Sequence, residues 1–555
     1  MTNSAKETVI KKYCKYVVHM RQQYHYDPKR LGLVFGAGTS KGLGFPNWNE
    51  LVDRISSSPE MSNAIISDKK DPIKNAQKLF QYYKNNFMEK CSAEDMQYNR
   101  AEMKIRGNWQ KIVHQALYEN IPSEIEKTVG EQHYLRSFLP IIREIPMTIN
   151  YNFDDTIQRL LAQTRTESEK EKTRGYTTVW NSNVYMYPKN RVIYHPNGFL
   201  PYNIHEHPSE QLVFLEDSFA DQLIDSLNGN YHVLSNYFSQ NTCLFIGLSL
   251  SDPTLKHNLR VNAMHLPGQF HYYIHYLNDG TSMASDEEFS IKDSNFEVYN
   301  LITLFLHEDE IRALAELITM DDLEFKELLE NEGLHENYKY YLVGSVAVGK
   351  TTALSNFRSL ATQDEWLETM PEDMAKDPSK VDDDNINLID KWIADQVAKK
   401  NYRLLNCSPG IHIIDRAPLD AFAFTPLTKD AWIDKARLLK SAISPGRANR
   451  KLCSAHVILL TGDPFVMASR AIANQRDTDS QKLKKQQDLL LHTYTKAGDG
   501  SGEGVTILDT KNKTKSQVAK EIARIIYLDK YIPAPLNDWL ENFASGAFGP
   551  PNITV

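Results

Sequence analysis

One segment in the second half of the chain limits its fold more than any other feature. Residues 340–357 read YYLVGSVAVGKTTALSNF, so an apolar run ends at Gly344, and four residues separate it from Gly349, Lys350 and Thr351. A loop of this spacing between a strand and a helix directs backbone N–H groups at phosphate oxygens. Lys350 is then placed to meet the β- and γ-phosphates, and the Thr351 hydroxyl to bind Mg²⁺. The segment therefore predicts a parallel α/β domain of the P-loop type, which binds a nucleoside triphosphate with Mg²⁺.

Three further apolar runs in this half of the chain are predicted to be strands of the same sheet. They cover residues 411–414, 457–460 and 505–508, and polar helical segments separate them. The first run ends at Asp415 and Arg416. A carboxylate at that place can hold Mg²⁺ through water or accept a proton from a hydroxyl that receives a phosphate. We therefore predict that Asp415 joins Thr351 in binding the metal ion.

An arginine-rich segment follows the second of these runs. Arg470 and Arg476 lie on a predicted helix and on the loop after it. Together with the pair Asp415 and Arg416, this segment resembles the lid and the Asp-Arg motif of thymidylate and deoxynucleoside kinases. The resemblance implies ATP, or another NTP or dNTP, as the ligand. The contacts that it adds for this nucleotide are Thr352, Arg416, Arg470 and Arg476.

Two polar stretches of this half carry no recognisable site. Residues 356–406 are polar and include an acidic run at 382–384, which is typical of a solvated loop. No residue there can be named as one that would recognise a phosphate acceptor. Residues 496–504 read KAGDGSGEG and predict a flexible loop.

The first half of the chain predicts a second parallel sheet. Its four short apolar runs each end in a cluster of Gly, Asn, Asp, Ser or His. They lie at residues 31–35, 146–149, 191–194 and 243–246. Such alternation is typical of an open α/β sheet, whose ligands bind beyond the carboxyl ends of the strands. A helix is predicted up to about Arg30 and a helical insertion over residues 60–145. The predicted fold class is α/β, with a Rossmann-like N-terminal sheet and a P-loop kinase-like C-terminal domain.

Small and polar residues follow the four strands of the first sheet. They are Gly36, Ala37 and Gly38 after the first strand, Asn152 and Asp154 after the second, His195, Asn197 and Gly198 after the third, and Gly247, Ser249 and Asp252 after the fourth. Glycines allow positive φ and a close approach of the backbone to a phosphate, and a following helix directs its first N–H groups at the anion. We therefore expect an anion-binding cleft at this edge of the sheet.

In this order, the four groups resemble the sirtuin-like family of bacterial antiviral defence proteins, over about residues 25–260. The stretches NFDD and IGLSLSDP are the most specific part of the resemblance. It implies that NAD is the bound molecule, that Asn152 is catalytic, and that a histidine close to the following glycine assists it. The residues that it implies for NAD binding are Gly36, Ala37, Gly38, Asp154, Gly247, Ser249 and Asp252.

The chain departs from that family at the catalytic histidine. Many relatives read HxHG, whereas this chain reads His195, Pro196, Asn197 and Gly198. Either His195 takes the role from two places earlier, or Asn197 replaces the histidine. His195 is favoured because an imidazole can accept a proton near neutral pH and an amide cannot. If Asn197 has replaced it, the domain would bind NAD or ADP-ribose without cleaving it.

Composition limits the partners and the compartment. The formal net charge of −8 gives no general attraction to nucleic acid or to anionic lipid. The five cysteines show no paired CxxC spacing, and no apolar segment is long enough to span a bilayer. We therefore expect a cytoplasmic protein that contacts neither membrane nor nucleic acid. The zinc-ribbon cysteines of protein-deacylating sirtuins are absent, which favours NAD hydrolysis over deacetylation.

These expectations combine into one favoured function and two alternatives. We expect a sirtuin-like domain at residues 1–310, a helical linker at 311–337 and a P-loop domain at 338–555. The favoured function is an NAD glycohydrolase of antiviral defence, acting as a homo-oligomer, which the nucleotide-binding domain releases in response to a phage-derived trigger. One alternative is an active nucleoside or nucleotide kinase whose sirtuin-like domain only binds NAD or ADP-ribose. The other is an ATP switch that controls assembly.

Overall fold

The protein divides into two compact units, each with its own parallel sheet. The computed structural model describes residues 2–61, 64, 71–92, 100–124, 129, 133–163, 176–180, 191–205, 208–227, 232–250, 252–278, 283–369, 371, 383–445, 450–476, 478–495 and 503–551. The first unit comprises Met1–His265 and Phe270–Phe325, and the second comprises Leu266–Gln269 and Lys326–Val555. The predicted α/β class is confirmed for both.

Seven strands form the sheet of the first unit within the described residues. They are β1 Leu31–Phe35, β2 Met147–Asn150, β3 Tyr176–Val179, β4 Arg191–Tyr194, β5 Thr242–Ile246, β6 His271–Tyr276 and β7 Leu301–Leu306. The strand order is β3-β4-β2-β1-β5-β6-β7, and every pairing is parallel. The chain leaves β1 toward β2 on one side and later returns to β5 on the other. The loops after β1, β2 and β5 therefore meet at the topological switch point, where ligands of such sheets bind.

Helices precede, connect and follow the strands of the first unit. They include Thr2–His25, Trp48–Ser56, Pro72–Glu89, Arg100–Tyr118, Tyr134–Glu144, Thr156–Gln163, Glu216–Leu227, His232–Gln240, Pro253–His265, Ser285–Tyr299 and Glu308–Thr319. The helical insertion predicted at 60–145 is thus present where the chain is described. The first helix ends at His25, earlier than predicted, because Pro28 lacks an N–H and disfavours helical backbone in the residue before it.

The helix Glu308–Thr319 is packed within the first unit. Its residues Ile311, Leu314 and Leu317 are buried. Arg21 closes its C-terminal end, because one guanidinium nitrogen donates to the carbonyl oxygens of Leu317 at 2.7 Å and Met320 at 2.8 Å. The start of the segment expected to be a linker is therefore bound into the core, and the division between the units falls after Phe325.

Five strands form the sheet of the second unit within the described residues. They are β8 Asn337–Gly344, β9 Ala361–Gln363, β10 Gly410–Asp415, β11 His456–Thr461 and β12 Val505–Asp509. The order β12-β11-β8-β10-β9 is parallel throughout and puts β8 in the centre. The helices are Lys350–Leu354, Asp383–Leu405, Lys429–Ile443, Pro464–Ala473, Ser480–Thr495, Lys515–Tyr527 and Leu536–Ala544. Asp415 thus ends the strand beside β8, next to the glycine loop that β8 leads into.

Two predictions fall wholly or partly outside the described residues. The glycine-rich stretch at 496–504 is described only from residue 503, and the first residue of the acidic run at 382–384 is likewise not described. No helix in the described part of the chain is both long enough and apolar enough to cross a membrane.

Candidate functional site

The loops after β1 and β5 are packed directly against each other. The N–H of Gly36 donates to the oxygen of Ile246 at 2.9 Å, and that of Gly38 to the oxygen of Gly247 at 2.8 Å. Gly247 has φ +68°, and a Cβ there would lie 2.5 Å from the nitrogen of Thr39. These glycines are therefore required by the contact between the two loops. Ala37 precedes a helix of four residues, Gly38–Lys41.

Asn152, at the end of β2, directs its side chain into the loop of residues 36–40. Its Nδ2 lies 3.1 Å from the oxygen of Gly36, 3.2 Å from Thr39 Oγ1 and 3.2 Å from Ser40 Oγ. The side chain is almost fully buried. Its Oδ1 atom has no hydrogen-bond partner among the described residues. The amide nitrogen is therefore fixed by the protein, whereas the enclosed amide oxygen is left without a hydrogen bond among the described residues.

Asp154 and Asp155 are both buried beside Asn152, but they contact different elements. Asp154 accepts from Ser40 Oγ at 3.2 Å and from the N–H of Thr156 at 3.0 Å, where the helix Thr156–Gln163 begins. Asp155 accepts from Tyr118 Oη at 3.3 Å and from the N–H of Tyr202 at 3.2 Å. Burial raises the pKa of Asp154, and burial with the charge of Asp154 raises the pKa of Asp155 to about 6. Asp154 thus supports the loop after β1. Asp155 was not among the predicted site residues, although it belongs to the NFDD stretch.

His195 lies on the backbone side of Asn152. Its Nδ1 donates to the carbonyl oxygen of Asn152 at 2.8 Å, and its Nε2 lies 2.8 Å from Gln158 Nε2. The ring is fully buried and packs 4.8 Å from the ring of Phe199. Burial lowers the pKa of His195 from 6.5 to about 4, so the imidazole is neutral at physiological pH. The structure joins His195 to Asn152 through the backbone and not through the two side chains.

Asn197, which follows β4, contacts Asp252, which follows β5. Its Nδ2 donates to Asp252 Oδ2 at 3.2 Å, and its Oδ1 lies 3.4 Å from Gln222 Nε2. Asp252 also accepts from the N–H of Leu255 at 2.8 Å, at the start of the helix Pro253–His265, and burial raises its pKa. Ser249, in the same loop, is exposed. The structure therefore brings Asn197 to Asp252, while His195 reaches Asn152.

A family model matches part of the first unit, from the start of β2 onward. Residues 146–299 match the model of the SIR2-like domain. The match includes Asn152, His195, Gly247 and Asp252 and begins after the loop of residues 36–40. It covers less than half of the chain, and we call the first unit the SIR2-like unit. A comparison with curated proteins gives no match. The SIR2-like match supports an NAD-related function for this unit.

Both glycines of the loop after β8 have positive φ. Gly344 has φ +154° and Gly349 has φ +112°, at the start of the helix Lys350–Leu354. No described atom lies within 4 Å of a Cβ placed on Gly349, so the space beside it is open. Lys350 Nζ donates to the oxygens of Gly344 at 2.7 Å and Ser345 at 3.1 Å. Burial, followed by the nearby charge of Arg416, lowers the pKa of Lys350 to about 8.

Asp415 is buried at the end of β10. Its Oδ1 atom has no hydrogen-bond partner in the part of the chain that the structure describes, and burial raises its pKa. Arg416 adopts φ +63° and pairs through Nε with Glu365 at 2.6 Å. Lys400 donates to the backbone oxygen of Asp415 and, at 2.8 Å, to that of Asp364. Sequence reasoning missed Lys400 and Glu365, since both lie in the polar stretch that carries no motif.

A cavity of about 170 Å³ opens beside Arg416. Its walls are mostly apolar and include Trp366, Ile393, Val397, Pro418, Ala421 and Phe424. Two buried polar atoms among its lining residues, Tyr341 Oη and Asp420 Oδ2, have no hydrogen-bond partner among the described residues. The amide of Gln396 is already bonded to the loop at Leu367 and Glu368. The cavity lies where the sequence revealed no acceptor site.

The other predicted nucleotide contacts are exposed. Thr351 and Thr352 face solvent in the first turn after Gly349, and Arg470 and Arg476 are exposed at the end of the helix Pro464–Ala473 and after it. Among the described residues, no three His, Cys, Asp or Glu side chains form a group that could hold a metal ion. Mg²⁺ at Thr351 and Asp415 would therefore take its other ligands from phosphate and water. The family match does not extend to this unit, so ATP and Mg²⁺ stay predictions.

Proposed function

We propose that the SIR2-like unit hydrolyses NAD to nicotinamide and ADP-ribose. The observation that carries this proposal is the orientation of Asn152, whose Nδ2 is bound by the β1 loop while its buried Oδ1 has no partner in the described part of the chain. A buried acceptor without a partner costs about 1–3 kcal/mol. A ligand hydroxyl or a water molecule would recover that energy. The site is thus prepared to hold an O–H group at the switch point of the sheet.

The chemistry of NAD suits such an acceptor. Cleavage of the nicotinamide–ribose bond passes through an oxocarbenium-like sugar, as in glycoside hydrolysis. Nicotinamide departs as a neutral molecule, so no strong general acid is needed. Asn152 Oδ1 would accept a hydrogen bond from the attacking water or from a ribose hydroxyl and hold it against the sugar. The loops at Gly36–Gly38 and Gly247–Ser249 would bind the rest of the dinucleotide, with Asp252 behind them.

His195 and Asn197 remain the two candidates for the group that assists Asn152. His195 can accept a proton only at Nε2, which already faces the amide of Gln158. Asn197 cannot act as a base, but it fixes Asp252 beside the fourth loop. The variants His195→Ala and Asn197→Ala separate them. The residue that assists the chemistry will lower kcat, whereas one that only shapes the binding loop will mainly raise KM.

Regulation by the second unit is part of the proposal. Unrestrained hydrolysis of NAD would deplete the cell that makes the protein, and a nucleotide-binding unit in the same chain offers a control. We propose that a nucleotide change during phage infection releases the activity in a cytoplasmic homo-oligomer. The experiment is to incubate the full chain with NAD and Mg²⁺, with and without ATP and each dNTP, and to measure nicotinamide. Release that depends on the nucleotide supports regulation, and release that is equal in all conditions contradicts it.

A second candidate function is a nucleoside or nucleotide kinase, with the SIR2-like unit only binding NAD or ADP-ribose. The cavity beside Arg416 favours it, because a mostly apolar lining with a few buried polar atoms suits an aromatic acceptor. Asp415 Oδ1, without a partner among the described residues, would accept the proton of the acceptor hydroxyl. Transfer of labelled phosphate from ATP to nucleosides and their monophosphates tests it, with Lys350→Ala as the inactive variant and the exposed Lys485→Ala as its control. Transfer by Lys350→Ala at the wild-type rate would contradict it.

A further inference from the structure

Gln158 contacts the one ring nitrogen of His195 that Asn152 does not use. It lies in the helix Thr156–Gln163, and its Nε2 is 2.8 Å from His195 Nε2 and 3.3 Å from Thr178 Oγ1 on β3. Its backbone oxygen accepts from Tyr176 Oη at 2.9 Å. Both ends of this residue are therefore fixed, at the edge of the sheet and against the imidazole.

The direction of these hydrogen bonds follows from their chemistry. The oxygen of Asn152 can only accept, so the proton that it binds must lie on Nδ1 of His195. The ring is fully buried, which favours the neutral imidazole, and a neutral ring protonated on Nδ1 has a lone pair on Nε2. Gln158 must therefore turn its NH₂ group to Nε2. In this orientation Oε1 is left buried, with no hydrogen-bond partner among the described residues.

We propose that Gln158 is a positioning residue for the NAD reaction, which holds His195 as the Nδ1–H tautomer so that His195 fixes the carbonyl group of Asn152. This inference rests on the proposed hydrolysis of NAD. The carbonyl and the side chain of Asn152 belong to one residue, and the side chain must enter the loop of residues 36–40. Holding the carbonyl therefore holds Oδ1 at the place where the O–H group is bound. In this arrangement His195 contributes through its Nδ1–H, because its other nitrogen is occupied by Gln158.

Loss of the Gln158 amide would remove this control. The variant Gln158→Met keeps the length of the side chain and has no donor. Only the carbonyl oxygen of Asn152 then selects Nδ1–H, so the Nε2–H tautomer becomes more accessible. That tautomer would set the Nδ1 lone pair against this oxygen, 2.8 Å away. The backbone of Asn152 would shift, and a displacement of about 1 Å can cost a reaction about a hundredfold. In Gln158→Glu, a protonated carboxyl group would donate to Nε2, or a carboxylate would pair with a ring that has taken a second proton from water. Nδ1–H stays in place in both cases.

The test uses the full chain labelled with ¹⁵N-histidine, together with steady-state hydrolysis of NAD. We expect a single Nδ1–H imidazole signal for His195 in the wild type and in the exposed control variant Gln163→Met. We expect a mixture of tautomers in Gln158→Met, with kcat lowered about tenfold or more and KM changed about twofold or less. In Gln158→Glu the Nδ1–H signal should persist, so this variant distinguishes positioning from general damage to the fold.

The outcomes separate this inference from the proposed function. An unchanged His195 signal in Gln158→Met, or a wild-type kcat in that variant, would overturn the positioning role even if the protein hydrolyses NAD. If the wild type releases no nicotinamide, hydrolysis fails as the function and with it the catalytic part of this inference. The tautomer measurement still decides whether Gln158 controls His195.

Discussion

The Nδ1 atom of His195 donates a 2.8 Å hydrogen bond to the backbone oxygen of Asn152, and the side-chain Nδ2 of Asn152 donates to the oxygen of Gly36, in the loop after β1, at 3.1 Å. One residue thus connects two strand ends of the sheet. The backbone carbonyl group of Asn152 is held by the loop after β4, and its side-chain amide is held by the loop after β1. This connection explains how a buried histidine could govern a reaction at an atom that it does not touch.

The buried imidazole predicts a dependence of stability on pH. Burial lowers the pKa of His195 from 6.5 to about 4, so the unfolded chain binds a proton at a higher pH than the folded chain does. The stability due to the neutral ring is therefore complete above about pH 6.5 and is lost as the pH falls to about 4. We expect the wild type to lose as much as about 3 kcal/mol more over this range than His195→Gln, in which no ring can be protonated. Urea unfolding of both proteins at several pH values measures the difference, and equal losses would refute this pKa assignment.

Gly247 should tolerate no side chain. It has φ +68°, and a Cβ would meet the nitrogen of Thr39 at 2.5 Å. We expect Gly247→Ala to lower the free energy of unfolding by about 1–3 kcal/mol and to weaken NAD binding, because the β1 and β5 loops must separate. Gly107→Ala is the control, since Gly107 lies in the helix Arg100–Tyr118 and no described atom is within 4 Å of its Cβ position. That variant should be neutral or more stable by about 1 kcal/mol. Equal melting temperatures for the two variants would argue against the tight loop contact.

Asp415 should show opposite effects on stability and on activity. Its carboxyl is buried, and one oxygen has no partner among the described residues. We expect Asp415→Asn to melt at the same temperature as the wild type or higher, because an amide at this place removes a charge that is costly to bury. The same variant should lose Mg²⁺-dependent nucleotide binding. A clear fall in melting temperature with unchanged nucleotide binding would assign Asp415 a structural role instead.

Much of the two sheets could be predicted because their central strands are short apolar runs that end in turn residues. β1 and β4 match their predicted bounds, β5 begins one residue earlier than predicted, and β2 is shifted by one residue at both ends. β7 reads LITLFL and carries the same signal, so the sequence contained enough to predict it. β3 reads YTTV, lies at the edge of the sheet and is only partly buried, and its polar pattern resembles a loop.

The strand-end residues of the candidate site are visible in the sequence, whereas the contacts that they make are not. Asn152, His195 and Asn197 follow strands, and a strand end is visible in a sequence. The contact between Gln158 and His195 is not visible in the sequence. Helical spacing shows which residues share a face of a helix, but it does not show which residues of another element they contact. Lys400 presents the same difficulty: it lies in the helix Asp383–Leu405, and only the folded chain brings it to the end of β10.

Nicotinamide release by Asn152→Ala beside the wild type is the decisive test of NAD hydrolysis at this site. The control is Asn85→Ala, which changes an exposed asparagine in the helix Pro72–Glu89. We predict that the wild type and Asn85→Ala release nicotinamide at the same rate in at least one nucleotide condition. Asn152→Ala should be slower by about a hundredfold or more, because it lacks the buried amide oxygen that holds the reacting O–H group. Equal rates in Asn152→Ala and the wild type, or no release by the wild type with any nucleotide, would contradict it.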